Sequence, residues 1–476
     1  MEGKQQVKRS GRGRNGRSRK PAPKVELAIT HPNAAGIDLG SRSHWVSVPP
    51  DRCEQSVRDF SAYTPDLREL ADWLQACRVD TVAMEATGVY WIPLYELLEA
   101  RKIEVYLVNA QHARAVPGRK SDVLDCQWLR QLHTFGLLRR SFRPTAEIVR
   151  LRSYLRQRET LVRGASVEIQ HMQKALTLMN VQLHIAVSDI TGLTGMRVLR
   201  AIVAGERCPK TLAQMRDARC RSTVEEIEHA LTGNYQPEHV FALRQALALY
   251  DKFEELIAEC DQIATEQLRQ IVPEERRETA LPRDTKKKRA GKKMPQQDLR
   301  TPLFQLLGVD LARIAGIAPY STACTISEIG TDMTRWPTVK HFASWLCLAP
   351  GTRITGGKVL SARTRPSSNR AAELLRIAAV NVGRTDTALG AFYRRLASRK
   401  EKSTAVVATA HKLARIIYTV LKSGETYQET EVAAFEEIHR EKSLRNLRRK
   451  AQALEFTLVA NEVASSNTHQ EESRVS

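Results

Sequence analysis

The sequence predicts three consecutive parts: an α/β domain, a long helical coiled coil, and a mostly α-helical C-terminal domain. Between residues 34 and 109, short apolar runs alternate with helical runs, the order that gives an α/β layer with parallel strand pairs. From Ile148 the apolar residues fall at alternating three- and four-residue steps, the period of a coiled coil. Beyond a polycationic stretch the runs are again helical, punctuated by glycine turns.

Order begins near Ala34. "AAGIDLG" reads as a short strand ending in Gly, and "HWVSVP" returns antiparallel to it. "LRELADWLQAC" (67–77) has helical spacing, and "TVAMEATG" (81–88) is a buried strand. "YWIPLYELLEARK" is a helix with Pro93 in its first turn. "IEVYLVN" (103–109) is another strand. The helix after "GRKSD" draws its apolar contacts from Val123, Leu124, Trp128, Leu129 and Leu132.

The heptad series then runs Ile148, Leu151, Leu155, Val162, Ala165, Ile169, Met172, Leu176, Met179 and Leu183, with Arg158 breaking it. A second leg comprises Val240, Leu243, Leu247, Tyr250, Ile257, Ala264, Leu268 and Ile271. The legs pair either within one chain, as an antiparallel hairpin, or with another protomer; periodicity does not choose. Further on, "LLGVDLARIAGIAPYSTACTISEIG" (306–330) turns at Gly316, and "TVKHFASWLCLAP" (338–350) is helical. "GTRITGGKVLSARTRPSSNR" is a Gly- and base-rich loop in which Ser367 and Ser368 are placed to cap the following helix. "AVVATAHKLARIIYTVLK" (405–422) is amphipathic, and the chain from about 440 is basic, then polar, and expected to fray. The resulting boundaries are a disordered basic arm (1–28), the α/β domain (29–144), the coiled coil (145–272), a basic linker (273–300), the C-terminal domain (301–430) and a tail (431–476).

Composition narrows the partners. The 476 residues carry 74 Lys plus Arg against 53 Asp plus Glu, a net charge of +21. That field favours a polyanion, nucleic acid before an anionic membrane. No apolar run reaches the ~18 residues needed to span a bilayer, so no membrane partner is expected. The N-terminal "MEGKQQVKRSGRGRNGRSRKPAPK" has no apolar core of a secretory signal. Eight scattered cysteines form no C-x-x-C pair, which argues against a zinc site and for reduced thiols in the cytoplasm. No P-loop, G-x-G-x-x-G or H-E-x-x-H pattern occurs.

Against this basic background, four acids stand out. Asp38 ends the first strand and Glu85 a later one. Asp122 and Asp125 lie one helical turn apart, just after Arg119 and Lys120. Two carboxylates on one helix face repel by roughly 0.2–0.5 kcal/mol, so the pairing needs a reason. Carboxylates at the C-terminal ends of parallel strands converge on one sheet edge, where open α/β folds keep their sites. Mg²⁺ takes hard oxygen ligands and keeps open positions for phosphate oxygens, and one or two such ions serve phosphoryl transfer. Base would hold the nucleic acid, and acid the metal that acts on it. Singly, Asp38 is also a turn residue, and Asp122 and Asp125 also suit a helix start; the ordered set is the stronger signal.

"GIDLGSRSHWVSV", "AMEATGVYW", "VNAQHARAVPGRKSDVLDCQWLRQL", "LARIAGIAPYSTACTISEIG" and "LAPGTRITGGKVLSARTRPSSNRAAELLRIAA" together resemble the DEDD insertion-sequence transposases, the IS110 family in its IS-eleven-eleven branch. The likeness runs through residues 30–425 in the family's order. It implies a RuvC-like (RNase H-like) N-terminal domain whose Asp38, Glu85, Asp122 and Asp125 bind Mg²⁺. It also implies a coiled coil and a C-terminal transposase domain with a helix-hairpin-helix-like segment, "LARIAGIAPYSTACTI", in which Tyr320 stands where a second Gly is common.

The family's C-terminal serine nucleophile falls, in this chain, at Thr355 of "ITGGK". Ser361 is the other hydroxyl in reach, and a purely structural loop shaped by Gly356 and Gly357 is the third reading. Arg353, Gly356, Gly357, Lys358, Arg363 and Arg365, with Arg119 and Lys120, would hold nucleic acid. The resemblance further implies a structured guide RNA that pairs with donor and target DNA, and a nucleoid-associated enzyme. Because the acids and the hydroxyl loop are far apart in sequence, a dimer or tetramer is expected to assemble the site. Two rivals make different demands. A RuvC-like junction resolvase that hydrolyses with water needs the acids but no hydroxyl loop, and a nucleic-acid packaging protein needs neither.

Overall fold

The computed structural model describes residues 27–86, 88–109, 121–282, 294–429 and 431–459. The basic arm up to residue 26, Arg119 and Lys120, and the polycation 285–293 lie outside the described residues. The chain divides into two compact units, Met1–Arg143 and Pro144–Ser476.

In the first unit, five strands form one sheet: β1 (Ala34–Leu39), β2 (Ser43–Ser47), β3 (Val57–Ser61), β4 (Thr81–Glu85) and β5 (Glu104–Val108), in the order β3-β2-β1-β4-β5. β1, β2 and β3 run antiparallel as a meander, whereas β1, β4 and β5 are parallel. The central β1 is almost wholly buried, as a strand covered on both faces must be. Alternation sorts its side chains. Ile37 and Leu39 join Val46, Phe60, Met84 and Leu107 in a core completed by Leu70 and Leu74 of α1 (Thr64–Ala76) and Leu94 and Leu98 of α2 (Trp91–Ala100). Pro93 does fall in the first turn of α2, where its missing N–H costs nothing.

The opposite face is covered by α3 (Asp122–Thr134), whose Leu129 packs with Ala83, Val108 and Leu138. The apolar set expected for α3 needs correction at one position: Leu124 is 46% exposed. Cys126, Leu129 and His133 form its buried stripe instead, the i, i+3, i+7 spacing of a single helix face.

In the second unit, α4 (Ala146–Leu178) and α6 (Pro237–Ile271) lie side by side, with α5 (Leu193–Ala204) between them in sequence. Leu151 and Leu155 near the start of α4 meet Ala264 and Leu268 near the end of α6. Met172 and Leu176 near the end of α4 share a core with Leu243 and Leu247 near the start of α6. The two legs are therefore antiparallel partners within one chain. A Cβ on Gly164 would come within 2.6 Å of the Phe253 ring, so the bare backbone lets the helices approach closely there. Short helices at Leu183–Ala186, Pro209–Ala213 and Val224–Ala230 close the far end with α5.

Arg158, the break in the heptad series, is 3% exposed. Its guanidinium grips Asp261 of α6 through Nε and, at 3.2 Å, through Nη2, and lies 4.5 Å from the centroid of the Tyr320 ring. Burial opposes its charge, but Asp261 and Tyr320 hold its pKa above the ordinary value. Burial also pushes the Tyr320 phenol far up. The residue that departs from the Gly pattern is thus an anchor between α8 (Pro319–Ile329) and the helical pair.

Among the described residues the rest of the unit is mostly helical: α7 (Arg300–Leu307), α8, α9 (Val339–Trp345), α10 (Arg370–Val382), α11 (Ala388–Ala397), α12 (Lys402–Ser423) and α13 (Val432–Ala453), with one two-stranded ribbon, β6 (Arg353–Thr355) and β7 (Lys358–Ser361). Arg156 holds Glu328 at the end of α8 with two bonds of 2.9 and 2.8 Å. Gly316, at φ +81°, turns the chain against Val382 and the Ala378 carbonyl, where a Cβ would collide at 2.4 and 2.7 Å. The cap of α10 is Asn369 itself, whose side chain accepts from the Ala372 N–H at 3.1 Å; Ser367 instead accepts from the Asn369 N–H. The expected fraying from about residue 440 also needs correction as far as Ala453; residues 460–476 lie outside the described residues. α13 is helical through Ala453 with no buried residue, because its Glu, Arg, Lys, Leu and Ala are strong helix formers uninterrupted by Gly or Pro.

Candidate active site

β1 and β4 are neighbours in parallel register, Ile37 opposite Met84. The next residues, Asp38 and Glu85, therefore stand side by side at the C-terminal ends of their strands. Both point to the face that α3 covers, since period-2 alternation turns them away from Ile37 and Met84. What brings α3 onto them is Gly36, two residues before Asp38 on the same face. A Cβ there would sit 2.3 Å from both the Arg130 nitrogen and the Cys126 carbonyl oxygen, so only Gly admits the helix at this separation. The far end of α3 is tied down by His133, whose Nε2 shares a hydrogen bond of 2.8 Å with Thr81 Oγ1 at the start of β4. The His133 ring also stacks on His31 at 4.6 Å. Burial, then His31, lowers its pKa to about 4, so it stays neutral and structural. Arg130 Nε donates to Ser47 Oγ at 3.1 Å, a third tether.

With its middle and end fixed, α3 delivers its first turn, Asp122 and Asp125, to the edge where Asp38 and Glu85 end. The electrostatics record the meeting. The Asp38 carboxyl is raised from 3.8 to about 6, first by burial and then by repulsion from Asp122, Asp125 and Glu85 in that order. The Cys126 thiol, one turn in, is pushed up to about 12 by burial and by Asp38, which leaves it inert. Among the described residues no three His, Cys, Asp or Glu side chains converge closely enough to hold a metal ion as they stand. The donor set itself is all oxygen and mutually repelling, which suits a hard divalent cation that would draw it together.

The second predicted centre lies in the other unit. Thr355 ends β6, and Gly356 and Gly357 form a two-residue turn at φ +55° and +76°. Two successive positive φ values belong to the tight hairpin turn that only Gly-like residues take without strain. Thr355 pairs with Lys358, and Ile354 with Val359, with a bulge beside Arg353. Thr355, Arg353, Lys358, Arg363 and Arg365 are all exposed. Ser361 is half-buried and accepts from the Arg363 N–H at 3.3 Å. Arg365 reaches back to the Ser344 carbonyl at 3.3 Å, pinning the ribbon's base.

Comparison with known proteins now gives these elements a family. Residues 35–181 match the profile of the DEDD transposase domain of IS110, described as "Transposase", and residues 310–394 match "Transposase IS116/IS110/IS902 family". The chain belongs to the IS110 family of transposases. It is also 32% identical over 128 residues to "Putative transposase y4pF/y4sB" of Sinorhizobium fredii (strain NBRC 101917 / NGR234), a match covering 25% of this chain and 33% of that protein. The chain thus spans about a third of the length of the curated relative it matches.

In this IS110-family chain the first profile covers the sheet, α3 and the whole of α4, and the second runs from just after α7 into α11, the ribbon included. Sequence reading missed the positioning residues Gly36, Arg130 and His133. Gly36 carried a usable signal, since a glycine two places before a strand carboxylate shares its face. His133 carried none, because its partner Thr81 is distant in sequence.

Proposed function

We propose that this protein is a DNA transposase-recombinase that cuts and rejoins DNA strands. Asp38, Glu85, Asp122 and Asp125 would hold one or two Mg²⁺ ions, which supply charge neutralisation at the scissile phosphate. The hydroxyl of Thr355, with Ser361 as the alternative, attacks phosphorus and forms an oxygen–phosphorus bond to the protein as the DNA oxygen leaves. One phosphodiester is exchanged for another, so no external energy source is needed. Arg353, Lys358, Arg363 and Arg365 grip phosphates. The charge of +21 suits an enzyme that binds backbones and leaves sequence to a base-paired guide RNA. A dimer or tetramer would assemble the acids and the hydroxyl.

The observation that carries this reading is the parallel register that ends β1 and β4 side by side at Asp38 and Glu85, under the helix that Gly36 admits. The sheet order, with an antiparallel meander on one side of β1 and parallel strands on the other, supports its RuvC-like form. Between the hydroxyls, exposure favours Thr355: it stands at the ribbon tip directly across from Lys358, whereas Ser361 already serves the Arg363 N–H.

The test is strand exchange on a DNA fragment spanning the coding region and its flanks. Thr355→Val is expected to lower it by at least about 10⁴-fold, the scale of losing a nucleophile, with Thr355→Ser active and Ser361→Ala close to wild type. Undiminished cleavage by the Thr355→Val/Ser361→Ala double variant would transfer the chain to the hydrolytic junction-resolvase reading.

A further inference from the structure

The β6–β7 ribbon carries a second surface, on its other face. Ile354 and Val359 are 62% and 60% exposed. Ile354 and Val359 are cross-strand partners, so they form one aliphatic patch facing away from Thr355 and Lys358, the next pair along. A lone two-stranded ribbon is only marginally stable in water, and bare aliphatics weaken it further. This one is nevertheless held in register by its glycine turn and pinned at the base through Arg365. From Gly351 to Arg370 the chain has five bases (Arg353, Lys358, Arg363, Arg365 and Arg370) and no acid. An apolar patch set in uniform positive charge is complementary to a surface that is anionic outside and apolar inside, which describes a DNA duplex with its bases stacked between phosphates.

We propose that the ribbon is a DNA wedge: Ile354 and Val359 press between base pairs and unstack one step, while the surrounding Arg and Lys hold the phosphates on either side. A two-stranded ribbon fits a groove of B-form DNA, and inserted aliphatic side chains are a known means of prising base steps apart. Duplex RNA offers a major groove too narrow and deep for such a ribbon. The proposal rests on the DNA-recombinase reading and adds the distortion step to it.

Permanganate, which oxidises unstacked thymines, tests it on the full-length protein recovered with its own bound nucleic acid and added to the coding-region fragment with flanks. The wild type is expected to produce hyperreactive thymines at a single step beside each cut. Ile354→Thr/Val359→Thr keeps strand-forming residues at exposed positions, and circular dichroism checks its fold. It should abolish the hyperreactivity and weaken binding about tenfold, with the salt dependence unchanged because no charge is lost. Arg353→Ala/Arg363→Ala should instead flatten the salt dependence. Full hyperreactivity in the threonine variant overturns the wedge. So does a change in oligomeric state without DNA, which would assign the patch to a second copy of the chain, or a loss confined to RNA protection. Wild-type protein that binds no DNA at any salt concentration would overturn the recombinase reading itself, a result distinct from all of these.

Discussion

Asp38→Asn is expected to yield a protein that is more stable and inactive. Asp38 is held ionised near neutrality against burial and three neighbouring acids, and its carboxyl titrates at about 6 where an ordinary one titrates at 3.8. The sign follows from that direction. Above pH 6 the folded state carries a repelled charge that the unfolded chain does not feel, so folding is weakened. As pH falls from 6 towards 4 the folded state takes up its proton first and stability from this group is regained; below 4 both states are protonated and nothing more is gained. After allowance for solvent screening, the penalty at pH 7.5 is on the order of 2 kcal/mol. The asparagine removes it, raising the melting temperature of the metal-free protein by a few degrees. Strand cleavage should fall at least about 10³-fold, beyond the 10–100-fold typical of losing a group one shell away from a metal. Calorimetry at pH 5 and 7.5, with and without Mg²⁺, checks both halves. Mg²⁺ should raise the stability of the wild type at pH 7.5 and leave the variant unmoved. A variant that is less stable than wild type and still cuts DNA would show that the acids do not share a site.

The largest stability effect is expected at Asp261. Removing it takes from the buried Arg158 guanidinium the carboxylate that both its Nε and its Nη2 hold. Stranding one partner of a buried pair costs about 3–5 kcal/mol. A cavity of about 140 Å³ borders Arg158, Asp261, Tyr250 and Gln296. Water entering it would hydrate the stranded cation and keep Asp261→Ala near the lower end of that range. Arg158→Met/Asp261→Leu removes both charges together and should recover most of the loss, since an apolar pair of similar size needs no partner. Urea unfolding of the four proteins in the cycle measures the coupling. Additive losses would mean that the pair does not act as a unit.

The two residues show where sequence reading succeeds and where it stops. Strand ends, periodicity and glycine turns are local, so β1, β4, the first turn of α3 and the Thr355–Lys358 turn were legible from short stretches. The four acids could be nominated because parallel strands deliver their C-terminal residues to one edge. The heptads announced two long helices but not their partner, because an antiparallel mate and a second protomer satisfy the same period. Arg158 read as a flaw in the pattern. Its meaning lies in Asp261 and Tyr320, 103 and 162 positions away (261 − 158 and 320 − 158), and no local signal links them. Leu124 was misassigned for a related reason: hydrophobicity marks what can be buried, while the helix phase set by Gly36 and His133 decides what is.

The account rests on Asp38, Glu85, Asp122 and Asp125 closing around divalent metal. Anomalous diffraction from Mn²⁺-soaked crystals of the full chain tests this most directly. One or two strong peaks within coordination distance of carboxylate oxygens from β1, β4 and the first turn of α3 are expected, absent in Asp38→Asn crystals soaked in parallel. Manganese bound elsewhere, with these four carboxylates uncoordinated, would contradict it.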